Sequence, residues 1–284
     1  MLLLTPRARL RRLLRPGAPS PLEGRTVLVT GASSGIGEAT ALEAAGRGAT
    51  VLLVARRSVE LDRVREQIVA AGGTAASYVC DLTDLDAIDA LVARVLDEHG
   101  GVDYLVNNAG RSIRRSLDLS YDRFHDVERT MAINYFGPVR LTMGLLPAMR
   151  AQGFGQVVNI LSWGVQLKAP KFSAYLASKT ALDTWSRIAA REAYGDNVTF
   201  TNMRFGLVRT AMVAPTEEYD GLRAMSPERA AEHVVRALED RPVVWNVPVG
   251  VAGEVLGFVS PRLVDAVMHR LDRRTKNSAA AIGR

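Results

Sequence analysis

Arg25-Thr-Val-Leu-Val-Thr30-Gly31-Ala-Ser-Ser-Gly35-Ile-Gly37 joins a short apolar run to a helical pattern through a glycine-rich turn. Arg25–Thr30 reads as a strand and Gly35–Arg47 as a helix. Glycines at 31, 35 and 37 let the backbone turn tightly and let a pyrophosphate approach it closely. The helix that follows offers free N–H groups and a partial positive charge to those phosphates. The spacing is Gly-x-x-x-Gly-x-Gly and differs from the ordinary dinucleotide fingerprint Gly-x-Gly-x-x-Gly. Such a turn also occurs as plain architecture, so its surroundings decide the reading.

Working outward, short apolar runs alternate with longer helical patterns. Strands are expected at Thr50–Ala55, Ala76–Cys80, Val102–Asn107, Gln156–Leu161 and Val198–Met203. Helices are expected at Ser58–Ala71, Asp84–His99, Ser173–Tyr194 and Pro227–Leu238, and Tyr121–Met149 is largely helical. Near-continuous apolar strands alternating with helices specify a parallel sheet covered on both faces. The fold class is therefore α/β: one doubly wound, Rossmann-type domain, with ligands beyond the carboxyl ends of its strands. No internal repeat or second domain is visible. From Val243 onward the chain is unusually apolar, and its pattern places no element.

The 284 residues are enough for one large α/β domain. Cys80 is the single cysteine, which excludes an internal disulfide framework and the usual cysteine zinc sites, and no metal is expected. The net charge of +6 sits at the ends. Residues 1–15 hold five arginines and no acid, residues 270–284 carry a net +4, and the body between them is slightly acidic at −3. That distribution argues against a nucleic-acid-binding face and leaves peripheral contact of the basic tails with an anionic membrane open. No run reaches the roughly 20 apolar residues of a spanning helix. Apolar Met1–Leu4 precedes the arginines, the reverse of a secretory signal, so a cytoplasmic protein is expected, at most peripheral at a membrane. Three readings of residues 1–15 stay open: a disordered tail, an interfacial amphipathic helix, and an organelle transit peptide.

The second strand ends at Ala55 and is followed by Arg56-Arg57, where NAD sites usually place an acid for the ribose hydroxyls. A guanidinium, first that of Arg56 directly after the strand, suits the 2′-phosphate of NADP, with Ser33 as a second donor, so NADP(H) is expected ahead of NAD(H). A solvated basic turn is the plainer alternative. Asn107-Asn108-Ala109-Gly110 follows the fourth strand, and its small residues allow the cofactor's adenosine half to lie against backbone. Tyr175-x-x-x-Lys179 puts both side chains on one helix face. A tyrosine ordinarily titrates near pH 10, and a neighbouring ammonium favours its phenolate, which makes it a usable acid/base. Taken alone, that spacing is common by chance.

The combined order is specific: the glycine loop, Asp81, Asn-Asn-Ala-Gly, Asn134, Ser162, then Tyr175 and Lys179, with Ser162 thirteen residues before Tyr175. In this the chain resembles the short-chain dehydrogenase/reductase family over about residues 22–245. The resemblance implies three parts: a basic tail and Pro-rich linker at 1–21, the Rossmann-type domain at 22–245, and an apolar then basic extension at 246–284. It also implies roles. Tyr175 gives or takes the proton of the alcohol or carbonyl oxygen, and Ser162 hydrogen-bonds that oxygen. Lys179 binds the nicotinamide ribose and depresses the tyrosine pKa, and Asn134 holds a water in the proton relay. Gly31, Ser33, Ser34, Gly35, Ile36, Gly37, Arg56, Arg57, Asp81, Leu82, Asn108, Ala109, Gly110, Tyr175, Lys179 and Thr210 bind cofactor, Asp81 and Leu82 at the adenine and Thr210 at the carboxamide. A homodimer or homotetramer, paired through the helices around 121–149 and 173–194, is implied as well.

Two positions depart from the family pattern. Leu161-Ser162 stands where Ser-Ser is frequent, and Phe205-Gly206 stands where Pro-Gly follows the sixth strand. The substrate loop is expected at about 207–226, with an apolar character suited to a hydrophobic carbonyl or alcohol. Residues 119–125, 132–137, 169–175 and 208–216 are similar to bacterial reductases acting on long acyl chains, among them fatty acyl-CoA reductases. Two other classes compete with an enzyme: a non-catalytic dinucleotide-binding scaffold or redox sensor, and a membrane or nucleic-acid adaptor using the tails. Intact Asn134, Ser162, Tyr175 and Lys179 speak against a sensor, which has no need of all four.

Overall fold

The structure is a computed structural model that describes residues 19–213, 221–275 and 277. The three open readings of residues 1–15 therefore lie outside the described residues, as do residues 214–220 of the expected substrate loop.

Strands β1 (Thr26–Thr30), β2 (Thr50–Ala55), β3 (Thr74–Val79), β4 (Tyr104–Asn107), β5 (Gly155–Ser162), β6 (Val198–Phe205) and β7 (Val244–Asn246) form one sheet. Its order is β3-β2-β1-β4-β5-β6-β7, and every pairing is parallel. Parallel pairing requires crossovers, which the helices supply. These are α1 (Gly35–Ala45), α2 (Ser58–Ala70), α3 (Leu85–His99), α4 (Phe124–Met131), α5 (Gly137–Ala151), α6 (Gly164–Leu167), α7 (Ser173–Glu192) and α8 (Pro227–Asp240). Two further helices, α9 (Pro248–Val259) and α10 (Pro261–Arg274), close the described chain.

The period of two along each strand divides the core. β1 sends Val27 and Val29 into a cluster with Ala41, Leu61, Val64 and Val234, under α1, α2 and α8. It sends Leu28 into the opposite cluster with Ile88, Val95, Leu141 and Leu145, under α3 and α5. The expected doubly wound sheet is thus the observed one. The expected helix over 121–149 is interrupted: between α4 and α5 the turn Ala132–Phe136 is a π-helix, with Gly137 N donating to Ala132 O. The apolar stretch from Val243 resolves into an edge strand and a helical pair.

The chain winds from β1 to β2 and β3 on one side, then crosses to β4 on the other. This reversal opens a crevice beyond the carboxyl ends of β1 and β4, where doubly wound folds hold ligands.

Candidate active site

Residue Thr30 ends β1 and ties the two loops that line the crevice. Its hydroxyl donates to Val106 O (3.2 Å) and accepts from the N–H groups of Asn108 and Ala109, both at 3.0 Å. The Asn108 amide donates to Thr30 O (2.9 Å), which joins the glycine loop to the Asn-Asn-Ala-Gly loop. Gly31 has φ +65°, which disfavours a side chain. Gly37 packs so closely that a Cβ there would lie 2.3 Å from Gly31 O and 2.4 Å from Asn108 Nδ2. The loop and the start of α1 therefore form a bare backbone cradle, the shape a pyrophosphate requires.

A cleft of about 1050 Å³ opens from this cradle along the carboxyl ends of β1, β2, β4, β5 and β6. Most of the residues read from sequence line it: Gly31, Ser33, Ser34, Gly35, Ile36, Arg56, Arg57, Leu82, Asn108, Ala109, Gly110, Ser162, Tyr175, Lys179 and Thr210. Thr210 lies over the glycine loop, its Cγ2 3.1 Å from where a Gly35 Cβ would stand. Three expected residues do not line the cleft. Gly37 packs beneath the loop, Asn134 is fully buried, and Asp81 accepts from the N–H (3.0 Å) and hydroxyl (2.8 Å) of Thr83.

The paired arginines separate in role. Arg57 Nη2 donates to Ser33 Oγ (3.0 Å) and Ser34 Oγ (3.1 Å) on the glycine loop. Arg56 has a side chain 71% exposed and pairs with Asp81 at 3.6 Å. The sequence favoured Arg56 as the phosphate reader because it directly follows the strand. Arg57 is the one that turns back, since it stands at the start of α2 beside the loop.

At the other end, β5 delivers Ser162, and α7 carries Tyr175 one turn before Lys179. The Ser162 hydroxyl oxygen accepts from Gly164 N at 3.1 Å. Lys179 is 4% exposed and donates from Nζ to Ile160 O at 2.9 Å. Burial pushes its ammonium down to about 8. Asn134, in the π-helical turn, accepts at Oδ1 from Arg111 N (2.9 Å) and donates to Arg111 O (2.8 Å) and Ser178 Oγ (3.0 Å). Ser178 in turn donates to Tyr175 O at 2.7 Å. Gly110 fits between these groups: a Cβ there would lie 2.8 Å from Asn134 Oδ1 and 3.2 Å from Lys179 Nζ. Cys80 also lines the cleft, and burial raises its thiol to about 11, which rules out a thiolate nucleophile at neutral pH.

Sequence reasoning missed several supports. Asn107, grouped by sequence with the groove, belongs to the interior. It is in register with Asn159 and Asn202, and the three amides form a ladder, Asn107 to Asn159 (3.0 Å) and Asn159 to Asn202 (3.0 Å), that ends on Ser186 and Asp183 of α7. This ladder locks β5 and β6 to the helix that carries Tyr175 and Lys179. Ser178 and Thr30 had no signal beyond their neighbourhood. Phe205, the departure from Pro-Gly, is buried and packs against Trp245 of β7 with ring centroids 4.6 Å apart.

A family model described as short chain dehydrogenase matches residues 25–220. A fatty acyl-CoA reductase of Mycobacterium tuberculosis is 49% identical over 253 residues, covering 89% of this chain and 86% of that protein. A fatty acyl-CoA reductase of Acinetobacter baylyi is 44% identical over 262 residues, covering 92% and 89%. Among solved structures, a 3-oxoacyl (acyl-carrier-protein) reductase from Agrobacterium tumefaciens with NADP bound superposes with a TM-score of 0.70. It is 34% identical and covers 77% of this chain and 88% of that one.

Proposed function

The chain belongs to the short-chain dehydrogenase family and is an oxidoreductase, and from that premise we propose that it uses NADP(H) to reduce a carbonyl on a hydrophobic, long-chain acyl substrate. The observation that carries the reading is Lys179, a buried cation held inside a large cleft by one carbonyl, one turn from Tyr175. A buried ammonium with a single protein acceptor keeps two N–H groups for a ligand.

The residues present fit a nicotinamide dinucleotide. The glycine cradle takes the pyrophosphate, Arg57 with Ser33 and Ser34 takes a 2′-phosphate, and Lys179 takes ribose hydroxyls. The bound cofactor supplies the hydride; the protein supplies position and electrostatics. Tyr175 delivers the proton to the substrate oxygen. The Ser162 hydroxyl, whose oxygen accepts from Gly164 N–H, would donate its own hydrogen to that same oxygen and stabilise developing charge. Both side-chain donor hydrogens of Asn134 are spent on the protein. A water of the proton relay is therefore left to the second lone pair of Oδ1, or to main-chain groups that the π turn takes out of the regular ladder. Asp81 and Leu82 would border the adenine, Leu82 from the cleft wall.

The names of the relatives support an acyl thioester or acyl carbonyl as substrate, as does the apolar lining from Ile133, Val208, Met212 and Val213. A homo-oligomer belongs to this reading. An apolar groove of about 850 Å³ on the outer side of α7, lined by Tyr135, Val165, Leu176, Trp185 and Ile188, supports pairing there. Contact of the basic termini with an anionic membrane belongs to it too. The test is NADPH oxidation against acyl-CoAs, aldehydes, β-ketoesters and ketosteroids of graded chain length. Turnover that rises with chain length supports the reading, and turnover confined to small polar carbonyls refutes it.

A further inference from the structure

Among the described residues, nine of the large apolar side chains that remain exposed fall within residues 249–271, on α9 and α10. Phe258 is 90% exposed and Val259 73%, at the junction of the two helices. Along α10, Leu263, Val267 and Leu271 recur at intervals of four and are all exposed, which makes one apolar stripe. A helix that is apolar beyond the face it buries needs a partner.

The pair is nevertheless firmly built. Gly250 and Gly253 let α9 lie directly on α6: a Cβ on Gly250 would meet Gln166 Oε1 at 2.4 Å, and one on Gly253 would meet Leu167 Cδ2 at 2.0 Å. Gln166 Nε2 donates to Glu254 Oε2 at 2.7 Å. At the far end, Lys171 Nζ binds the carboxyl end of α10 through Asp272 O (3.2 Å), Asp272 Oδ1 (3.3 Å) and Thr275 Oγ1 (2.9 Å). Asn277 accepts from Ser116 N at 3.3 Å. The two anchor segments, α6 and the turn at Lys171, are the ones that lie between Ser162 and Tyr175. The exposed apolar surface is thus rigidly attached beside the cleft.

Charge identifies its occupant. Arg262, Arg270, Arg273 and Arg274 of α10 are exposed, and none makes an ion pair among the described residues. The acids of the same helix are Asp265 and Asp272, and Lys171 already holds the second. A second copy docked two-fold on this face would add the same uncompensated arginines to the interface and double its positive charge. An anionic bilayer offers hydrocarbon to the stripe and phosphate to the arginines at once. We infer that the α9–α10 hairpin is a membrane-docking surface for anionic lipid, with Phe258 and Val259 entering the acyl layer. This goes beyond the contact of the basic termini, because it assigns insertion to a folded element fixed to the active-site walls.

The test uses the full-length protein and vesicles of phosphatidylcholine with one quarter phosphatidylglycerol, against phosphatidylcholine alone. Cosedimentation should show binding to the anionic vesicles that weakens as salt is raised. Phe258→Asp with Val259→Asp should lower the partition coefficient at least tenfold, and so should Arg270→Gln with Arg273→Gln and Arg274→Gln. Both variants should keep the parent's thermal midpoint and oligomeric mass, because these side chains are exposed. Absence of binding by the parent would overturn the inference, as would equal binding by both variants. A fall of the first variant to a smaller assembly in sedimentation velocity would give the face to a second copy and overturn it as well.

Discussion

Arg57 reaches back from the start of α2 and donates to the Ser33 hydroxyl at 3.0 Å, so the cation that follows the second strand is tied to the glycine loop. The same nitrogen lies 3.1 Å from Ser34 Oγ. One cation and two hydroxyls thus converge beside the glycine loop. Arg56 is spent on Asp81.

Cofactor preference should follow Arg57 rather than Arg56. Charge-assisted hydrogen bonds contribute about 1.5–3 kcal/mol, which is roughly tenfold to somewhat over a hundredfold. Arg57→Asp should reverse the preference for NADPH, because it removes an attraction and adds a repulsion. Arg56→Ala should change it by less than about threefold, as befits an exposed pair. The measurement is kcat/KM for both cofactors with one fixed substrate.

The buried Lys179 sets an alkaline limit. Burial holds its ammonium at about 8, so the charged form prevails at pH 7 and is lost as pH rises through that value. NADPH affinity and kcat/KM for reduction should both fall above pH 8, since kcat/KM reports groups of the free enzyme. The unfolded chain keeps its lysine protonated to about pH 10.4. Between those values it binds the extra proton, so the Lys179 contribution to stability rises with pH while activity falls. Activity and NADPH affinity that stay level from pH 8 to 9.5 would contradict this assignment.

Asn134 is a positioning residue whose loss should show in stability and in turnover. Asn134→Ala removes its bonds to the Arg111 backbone and leaves the fully buried Ser178 hydroxyl without a donor, at about 1–3 kcal/mol for that unsatisfied group. Urea unfolding should show a loss of that order. The kcat should fall more than NADPH affinity, because the bonds to Ser178 and thence to Tyr175 O lie on the proton side of the site.

Gly37→Ala tests the cradle. The added Cβ would meet backbone at Gly31 O, which cannot give way as a flexible side chain would. NADPH affinity should drop at least about tenfold, the scale of a single lost charge-assisted contact. Unchanged affinity would show that the loop has another way to pack.

Most of this was legible in the sequence for a physical reason. A pyrophosphate demands bare backbone and an acid/base tyrosine demands a nearby cation, yet Gly31–Gly37 and Tyr175–Lys179 are each ambiguous alone and become legible through their combined order with Asn108–Gly110, Asn134 and Ser162. What was illegible depends on register and on turns. The Asn107–Asn159–Asn202 ladder exists because three strands align, which no single stretch records. The π turn at Ala132–Phe136 carries the same residue types as an ordinary helix. Which of Arg56 and Arg57 faces the loop is fixed by the turn into α2. The helix α9 lacked a usable period because it is apolar on nearly all sides, so sequence periodicity could not locate its buried face.

The central claim is that Tyr175 transfers the proton while other residues hold the cofactor. The direct measurement is NADPH oxidation with the best substrate of the screen, together with NADPH binding by fluorescence, in the parent and in Tyr175→Phe. General acid–base catalysis contributes about 10²–10⁴-fold. Turnover of Tyr175→Phe should be lower by at least about a hundredfold, with NADPH affinity essentially kept. Turnover near that of the parent, or loss of cofactor binding equal to the loss of turnover, would contradict it.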